Sequence, residues 1–292
     1  MRRKPARSAD QLCGDDVANS LLGALDIVAC SDPGLVRSQN EDSVMADAGQ
    51  GLVILADGMG GYNAGEVASK MATTLLSAGL VAALKTTSAH EEDQRTGQPF
   101  AVRCLVEQIA VVNSAIYQAS ESQSQLGGMG TTLVAAIFCD NRMIVAHVGD
   151  SRLYRLRAGE FVALTRDHSL LQEQIDSGLI SAEDARYAAN RNLVTRAVGV
   201  DPEVEAEIHV HPVQPGDVYL LCSDGLHDMV DGADMQRALE MFGTDLERAA
   251  RYLIQMANDH GGDDNISVIV VRVVRKFPAA SGSWAKLWSW LR

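Results

Sequence analysis

An aspartate recurs along this chain at the ends of short apolar runs of the kind that form buried β-strands. Asp57, Asp150 and Asp224 each follow such a run, and Asp264 precedes another. Runs of four to eight apolar residues bounded by turn residues are typical of buried strands. A glycine beside three of these aspartates lets other groups approach the backbone closely. The chain must therefore fold so that several strand ends place carboxylates at fixed positions.

The carboxylates themselves indicate what such a fold can hold. A single Asp-Gly pair is typical of an ordinary turn. A whole set at strand ends favours a shared site, because hard divalent cations take carboxylate, carbonyl and water oxygens as ligands. Carboxylates gathered without a cation repel one another and shift each other's pKa. The spacing alone predicts a candidate oxygen-ligated metal site and no specific reaction.

Between the strands, two segments have apolar residues at helical spacing. They cover residues 65–84 and 101–119, and further helices are predicted over 231–257. Ala158-Gly159 lies between two strand-like runs and predicts a hairpin. The chain shows no internal repeat and no interior linker. We therefore expect one layered α+β domain.

Composition excludes several classes of protein. The 292 residues include 25 basic and 38 acidic side chains, a formal net charge of −13, which argues against nucleic acid as the main partner. Five scattered cysteines without a CxxC pair indicate neither a disulfide framework nor a zinc site, and predict a cytoplasmic location. The longest mostly apolar run, 75–84, is too short to span a bilayer. Gly58–Gly61 lacks the Lys-Ser/Thr of a nucleotide-binding phosphate loop.

Eight short motifs occur in a set order, and together they are far more specific than any one of them. They are Arg37-Ser-Gln-Asn-Glu-Asp42, Ala56-Asp-Gly-Met-Gly-Gly61, Gly128-Met-Gly-Thr-Thr132, Gly149-Asp-Ser-Arg152, Asp167-His-Ser169, Asn192-Leu-Val-Thr-Arg-Ala-Val-Gly199, Ser223-Asp-Gly-Leu226 and Asp264-Asn265. Over residues 26–274 the series resembles the metal-dependent type 2C (PPM) serine/threonine protein phosphatases, in their bacterial branch.

This resemblance implies a four-layer α-β-β-α sandwich, in which two central, mainly antiparallel sheets are flanked by helices. It implies a site between the sheets for two Mn(II) or Mg(II) ions, with room for a third. The predicted organisation is a flexible N-terminal arm (1–24), a catalytic domain (25–275) with a flap at about 166–190, and a Trp-rich C-terminal tail (276–292).

The resemblance also implies a role for each site residue. Asp57 bridges both metals, and Gly58 offers its carbonyl to one of them. Asp224 and Asp264 are expected to hold the second metal, and Glu41 and Asp42 to act through water. Asp150, with Asp224 and Asp228, is expected at a third metal. Arg37 is expected to bind the substrate phosphate with two parallel hydrogen bonds.

The implied reaction is hydrolysis of phosphoserine and phosphothreonine in proteins by a metal-bridging hydroxide, reversing the action of a bacterial Ser/Thr kinase. The alternative is a catalytically silent signalling or docking module on the same fold. Met59 stands where eukaryotic relatives have a histidine suggested as the general acid, which favours water in that role. His168 is a second candidate acid, although a structural role is the more common one for a lone histidine.

Two segments leave alternatives open. The region 166–190 is either a mobile flap that selects substrates or a surface helix pair. In the tail, an apolar stripe formed by Trp284, Leu287, Trp288 and Leu291 either docks on the protein's own surface or contacts a partner helix or the inner membrane surface.

Overall fold

Two antiparallel β-sheets form the centre of the protein. The computed structural model describes residues 21–61, 63–93, 97–181 and 193–279. One sheet contains, in spatial order, β2 (Asp42–Asp47), β3 (Leu52–Met59), β5 (Leu133–Cys139), β6 (Arg142–Val148) and β9 (Glu207–Pro212), and the short β4 (Gly130–Thr131) pairs with β3. The other contains β1 (Leu25–Asp32), β11 (Ile266–Val273), β10 (Val218–Cys222), β7 (Arg152–Arg157) and β8 (Glu160–Ala163).

Helices cover the outer faces of both sheets. The first two, α1 (Ala64–Thr86) and α2 (Phe100–Ser122), pack on the six-stranded sheet. After the short α3 (Leu170–Asp176) and α4 (Asp224–His227), α5 (Gly232–Phe242) and α6 (Leu246–Asp259) pack on the five-stranded sheet. The last two begin where Asp231 and Asp245 accept a hydrogen bond from a backbone N–H of the first turn. The predicted four-layer α+β fold is confirmed.

The central strands β3, β5 and β10 are apolar along most of their length because both of their faces are buried. In β3, Leu52, Ile54 and Ala56 pack against α1 and α2, whereas Val53 and Leu55 face the other sheet. Strand β10 follows the same alternation, with Leu220 toward the outer helices and Tyr219 and Leu221 toward the other sheet. Burial on both faces explains why the sequences of these strands are continuous apolar runs and do not alternate polar with apolar residues.

The boundaries of the domain differ from the prediction at both ends. Leu21 and Ala24 are buried in the core between the sheets, so the segment predicted as a flexible arm to residue 24 already belongs to the domain at residue 21. Phe277 is buried in the same core, and its N–H donates to Asn141 Oδ1, so the domain extends beyond 275. The remainder of the arm (1–20) and the tail stripe (280–292) lie outside the described residues.

The predicted flap is only partly described. Its helical pattern forms α3, which begins where Ser169 Oγ accepts a hydrogen bond from Gln172 N. Residues 182–192 lie outside the described part, so the choice between a flap and a surface helix pair stays open. The predicted hairpin at Ala158-Gly159 is confirmed by the pairing of β7 with β8, and both turn residues have positive φ.

By length and composition, α1 and α2 are each long and apolar enough to cross a membrane. Both contribute their apolar face to the core on the six-stranded sheet instead. Their hydropathy is therefore explained by packing in the domain.

Candidate functional site

The antiparallel pairing brings the predicted carboxylates to one end of the sandwich. Strand β2 begins at Asp42, which lies directly opposite Asp57 near the end of β3. Strand β10 ends two residues before Asp224, and its neighbour β11 begins two residues after Asp264. Since neighbouring antiparallel strands end and begin at the same edge, residues far apart in the chain become neighbours.

A cavity of about 190 Å³ opens at this edge. Seven of the predicted site residues line it, namely Arg37, Glu41, Asp57, Gly58, Asp150, Asp224 and Asp264. Met59, Gly60, Thr132 and Val194 complete the lining. The grouping that the strand-end pattern predicted is thus present in the fold.

Two predicted residues, Asp42 and Asp228, lie outside this lining. Asp42 is buried behind it, and its Oδ2 accepts a hydrogen bond of 2.9 Å from Ser223 Oγ. Burial raises the pKa of Asp42 to about 7. Asp228 Oδ1 is 3.4 Å from Nδ1 of His227, whose Nε2 donates to the Asp150 carbonyl. Asp228 therefore reaches the site through His227.

The electrostatics of the cavity favour a bound cation. Burial, and then the charge of neighbouring carboxylates, raises the pKa of Asp57 and Asp224 well above the usual range. Burial also raises the pKa of Asp150 and Glu41. Asp224 Oδ1 is shielded from solvent and has no hydrogen-bond partner among the described residues.

Carboxylate and carbonyl oxygens are the ligands that hard divalent cations prefer. Among the described lining residues Arg37 is the only basic one, and its guanidinium is already paired with Asp264 at 2.6 Å. The donor set therefore fits divalent metal ions.

Hydrogen bonds with two neighbouring threonines hold the backbone of Asp57 in place. Thr131 Oγ1 and Thr132 N both donate to the Asp57 carbonyl at 2.8 Å. Thr132 Oγ1 in turn accepts from Asp57 N at 3.1 Å. The Gly128–Thr132 motif thus positions the central acid rather than contributing a charge of its own.

Two positioning residues were not assigned a role from the sequence. Asn265 donates to the carbonyls of Pro33 and Gln39, and its Oδ1 accepts from Glu41 N at 2.7 Å. It therefore ties the loop that carries Arg37 and Glu41 to the loop that carries Asp264. The sequence feature that could have indicated a role for Asn265 is its position next to Asp264, just before a strand.

The second is Gly65, near the start of α1. A Cβ on Gly58 would collide with the Gly65 carbonyl, and one on Gly65 would lie 2.8 Å from Gly58 C. Only glycine at both positions lets α1 pack this closely against the strand that carries Asp57. No pattern in a single sequence indicates such a contact.

With this geometry established, comparison with known proteins identifies the family. Residues 36–263 match the family described as Protein phosphatase 2C. The chain belongs to this family. The phosphatase is 42% identical over 244 residues to the serine/threonine phosphatase stp of Listeria innocua, a match that covers 82% of this chain and 93% of the relative.

Solved structures agree with this assignment. The Mycobacterium tuberculosis serine/threonine phosphatase PstP/Ppp aligns with a TM-score of 0.75 and 39% identity, covering 86% of this chain and 99% of the other. A PstP catalytic domain in complex with two manganese ions aligns with a TM-score of 0.73 and 40% identity, covering 86% and 98%. The predicted family and fold are both confirmed.

His168, the candidate acid of this phosphatase, lies outside the described lining of the cavity. His168 Nδ1 accepts a hydrogen bond from Gly149 N, and its ring stacks on His147 with centroids 4.7 Å apart. His147 Nε2 lies 2.8 Å from the Arg166 carbonyl and donates to it. These contacts support the structural role for His168.

His147 and His168 also lie close to Glu207, in a grouping that resembles a metal site. The hydrogen bonds place the proton of each neutral ring on Nε2, the nitrogen that lies 3.9 Å (His147) or 3.5 Å (His168) from Glu207 Oε2. The grouping is therefore better explained as a hydrogen-bonded pair of buried histidines than as a metal site.

Proposed function

We propose that this phosphatase hydrolyses phosphoserine and phosphothreonine in proteins with two Mn(II) or Mg(II) ions held by the carboxylate cavity. The observation that carries the proposal is the cluster of Asp57, Asp150, Asp224 and Asp264 around one cavity, with one oxygen of Asp224 shielded from solvent and a single arginine in the lining. The two manganese ions in the related PstP domain support it.

Each of the two sheets would contribute some of the groups that hold the metal ions. Asp57 and the Gly58 carbonyl come from the six-stranded sheet, and Asp224 and Asp264 come from the five-stranded one. Glu41 and Asp42 would act through water, and Asp150 with Asp224 would hold a third ion, with Asp228 behind His227. Bound cations supply a water of lowered pKa and neutralise charge on the phosphate.

Arg37 would orient the phosphate. Its side chain is about half exposed at the mouth of the cavity, and the bond to Asp264 fixes one edge of the guanidinium. The remaining N–H groups form the planar fork that matches phosphate oxygens. A phosphate held there faces the carboxylate cluster.

The leaving serine or threonine oxygen needs a proton. Met59, which lines the cavity at the position after Asp57-Gly58, has no proton to give. The described histidines lie outside the lining. We infer that a water molecule supplies this proton.

We expect the substrates to be the targets of a cognate bacterial Ser/Thr kinase, and the enzyme to act in the cytoplasm, where the thiols of the four described cysteines remain unpaired. A silent docking module would be favoured by a missing acidic group. All seven acidic residues that the motifs predict are present in the chain: five line the described cavity, and Asp42 and Asp228 lie behind it.

The test is release of phosphate from a phosphoserine peptide with Mn(II). The unaltered protein should be active, Asp57→Asn inactive, and both inactive with a chelator. Asp47→Asn, at the far end of β2 from Asp42, is the matched control and should retain activity. Absence of Mn(II)-dependent hydrolysis, or full activity of Asp57→Asn, would contradict the proposal.

A further inference from the structure

A second cavity, of about 280 Å³, adjoins the carboxylate site. The two cavities share Arg37, Glu41 and Gly60, so a molecule whose phosphate sits at Arg37 extends directly into the second one. We call this cavity the polar groove, and its other lining residues are Ser38, Gln39, Asn63 and Asn265. None of the seven lining residues has an apolar side chain.

Both N–H groups of the Asn265 amide on this wall are already used. Its Nδ2 donates to two carbonyls and its Oδ1 accepts from Glu41 N. Asn265 therefore has a fixed position and no N–H donor left for a ligand.

Asn63 differs. Its Oδ1 is shielded from solvent and has no hydrogen-bond partner among the described residues. It occupies the N-cap position of α1 but makes no side-chain capping bond, with φ of 65°. Polar atoms shielded in this way are nearly always hydrogen-bonded. Asn63 therefore has an acceptor that no described residue uses, and a rotation of its side chain would turn this oxygen toward the groove that Asn63 lines.

The chemistry of the polar groove points to one class of occupant. Asn63 and Gln39 offer primary amides, and Ser38 offers a hydroxyl. An amide side chain has both a donor and an acceptor, which match the C=O and N–H of a peptide group. The groove has no apolar side chain to anchor a hydrophobic residue, and the charges of Arg37 and Glu41 at its shared edge formally cancel. Its volume is below the roughly 300–1,000 Å³ of small-molecule pockets.

We propose that the polar groove binds the main chain of the substrate next to its phosphorylated residue, with the Asn63 amide hydrogen-bonded to one of its peptide groups. This inference rests on the proposed phosphatase function and adds a determinant of substrate choice. It predicts that the enzyme favours phosphorylated polypeptide over small phosphate esters, which would reach only the carboxylate cavity.

The experiment compares two substrates with Mn(II): a phosphoserine peptide and 4-nitrophenyl phosphate. The variant is Asn63→Gly, which removes the amide and accepts the positive φ without strain. The kcat/KM for the peptide should fall about fivefold to tenfold, the range expected for one or two neutral hydrogen bonds. The kcat/KM for 4-nitrophenyl phosphate should change less than about twofold. Gln255→Ala, which removes an exposed amide on α6, is the matched control.

N-methylated peptides sharpen the result. Two peptides, each methylated at one backbone amide flanking the phosphoserine, lack one N–H donor each. At least one should be hydrolysed about fivefold more slowly than the parent peptide by the unaltered enzyme. Asn63→Gly should treat that peptide and the parent alike, because the group that discriminates between them is gone.

Three outcomes would overturn the inference. Equal loss on both substrates would place the effect of Asn63→Gly in the carboxylate cavity. No loss on either would mean that Asn63 does not contact the substrate. No Mn(II)-dependent hydrolysis of either substrate by the unaltered protein would instead refute the proposed function, and the inference with it. Should Asn63→Gly fail to fold, Gln39→Ala with the same substrates decides the question.

Discussion

Strand β10 is flanked by the buried Asp217 and the half-buried Asp224, and the two carboxylates have opposite surroundings. Just before it, Asp217 accepts a bidentate pair of hydrogen bonds of 2.6 Å from Arg157, and further bonds from Tyr219 Oη and Gln214 N. Just after it, Asp224 faces other carboxylates, and its Oδ1 has no partner among the described residues.

The difference separates a structural acid from a functional one. A buried carboxylate that is fully hydrogen-bonded is compatible with a stable fold, whereas one left unpaired costs free energy. Asp217 meets the first condition within the chain itself. Asp224 Oδ1 still lacks a hydrogen-bond partner among the described residues, as expected of an oxygen that binds an added cation.

The largest effect should separate the two aspartates by activity. Asp224→Asn removes a ligand from a site where metal ions contribute several kcal/mol to catalysis. We expect kcat/KM on a phosphoserine peptide to fall about a thousandfold, or ~4 kcal/mol. Asp217→Asn should leave kcat/KM nearly unchanged at a temperature where it stays folded. Equal losses in the two variants would break the comparison.

The next effect concerns pH and metal. The raised pKa values of Asp57 and Asp224 mean that the metal-free fold binds more protons than the unfolded chain, so its stability falls as pH rises through those pKa values. Mn(II) binds the ionised form and should restore stability, by about 2.7 kcal/mol at a concentration a hundredfold above its Kd.

This prediction is measured by thermal unfolding at pH 5.5 and pH 8. The increase in Tm on adding Mn(II) should be several degrees at pH 8 and smaller at pH 5.5. In Asp224→Asn it should shrink at both. An increase that is independent of pH would show that these carboxylates are not the metal ligands.

A smaller effect should separate the two aspartates by stability. Asp217→Asn removes one partner of Arg157, Tyr219 and Gln214, and the unpaired donors lower the free energy of unfolding by about 2 kcal/mol. In Asp224→Asn the metal-free protein should lose no stability, because the substitution relieves repulsion. Urea unfolding with a chelator present measures both, and a destabilised metal-free Asp224→Asn would contradict the comparison.

The smallest effect tests the residue between β10 and Asp224. Ser223 Oγ donates to Asp42 and accepts from Ser267 N, both at 2.9 Å. Ser223→Ala should lower the free energy of unfolding by about 1 kcal/mol and kcat/KM by less than tenfold. Ser77→Ala, at an exposed position on α1, serves as the control. A loss of activity as large as that of Asp224→Asn would give Ser223 a direct role.

The sequence predicted the cluster because its members are marked locally. Asp57 and Asp224 each end an apolar run, and the antiparallel pairing that follows from those runs brings them together. What it did not predict depends on distant contacts. Gly65 matters only because Gly58 packs against it, and Asn63 only because a groove forms beside Arg37. Leu21 and Phe277 were assigned to the ends, since isolated apolar residues show no periodicity until the core around them exists.

The position of β11 in the five-stranded sheet has a consequence for biosynthesis. This last strand lies between β1, the first, and β10, and the adjoining loop joins Asp264 to Arg37 across 227 residues of sequence. A nascent chain still lacking β11 has neither a complete sheet nor a closed cavity, and it exposes the edges of its neighbours. A shortened product ending before Asp264 would lack this carboxylate of the cavity and the strand that joins β1 to β10, so we expect it to be inactive.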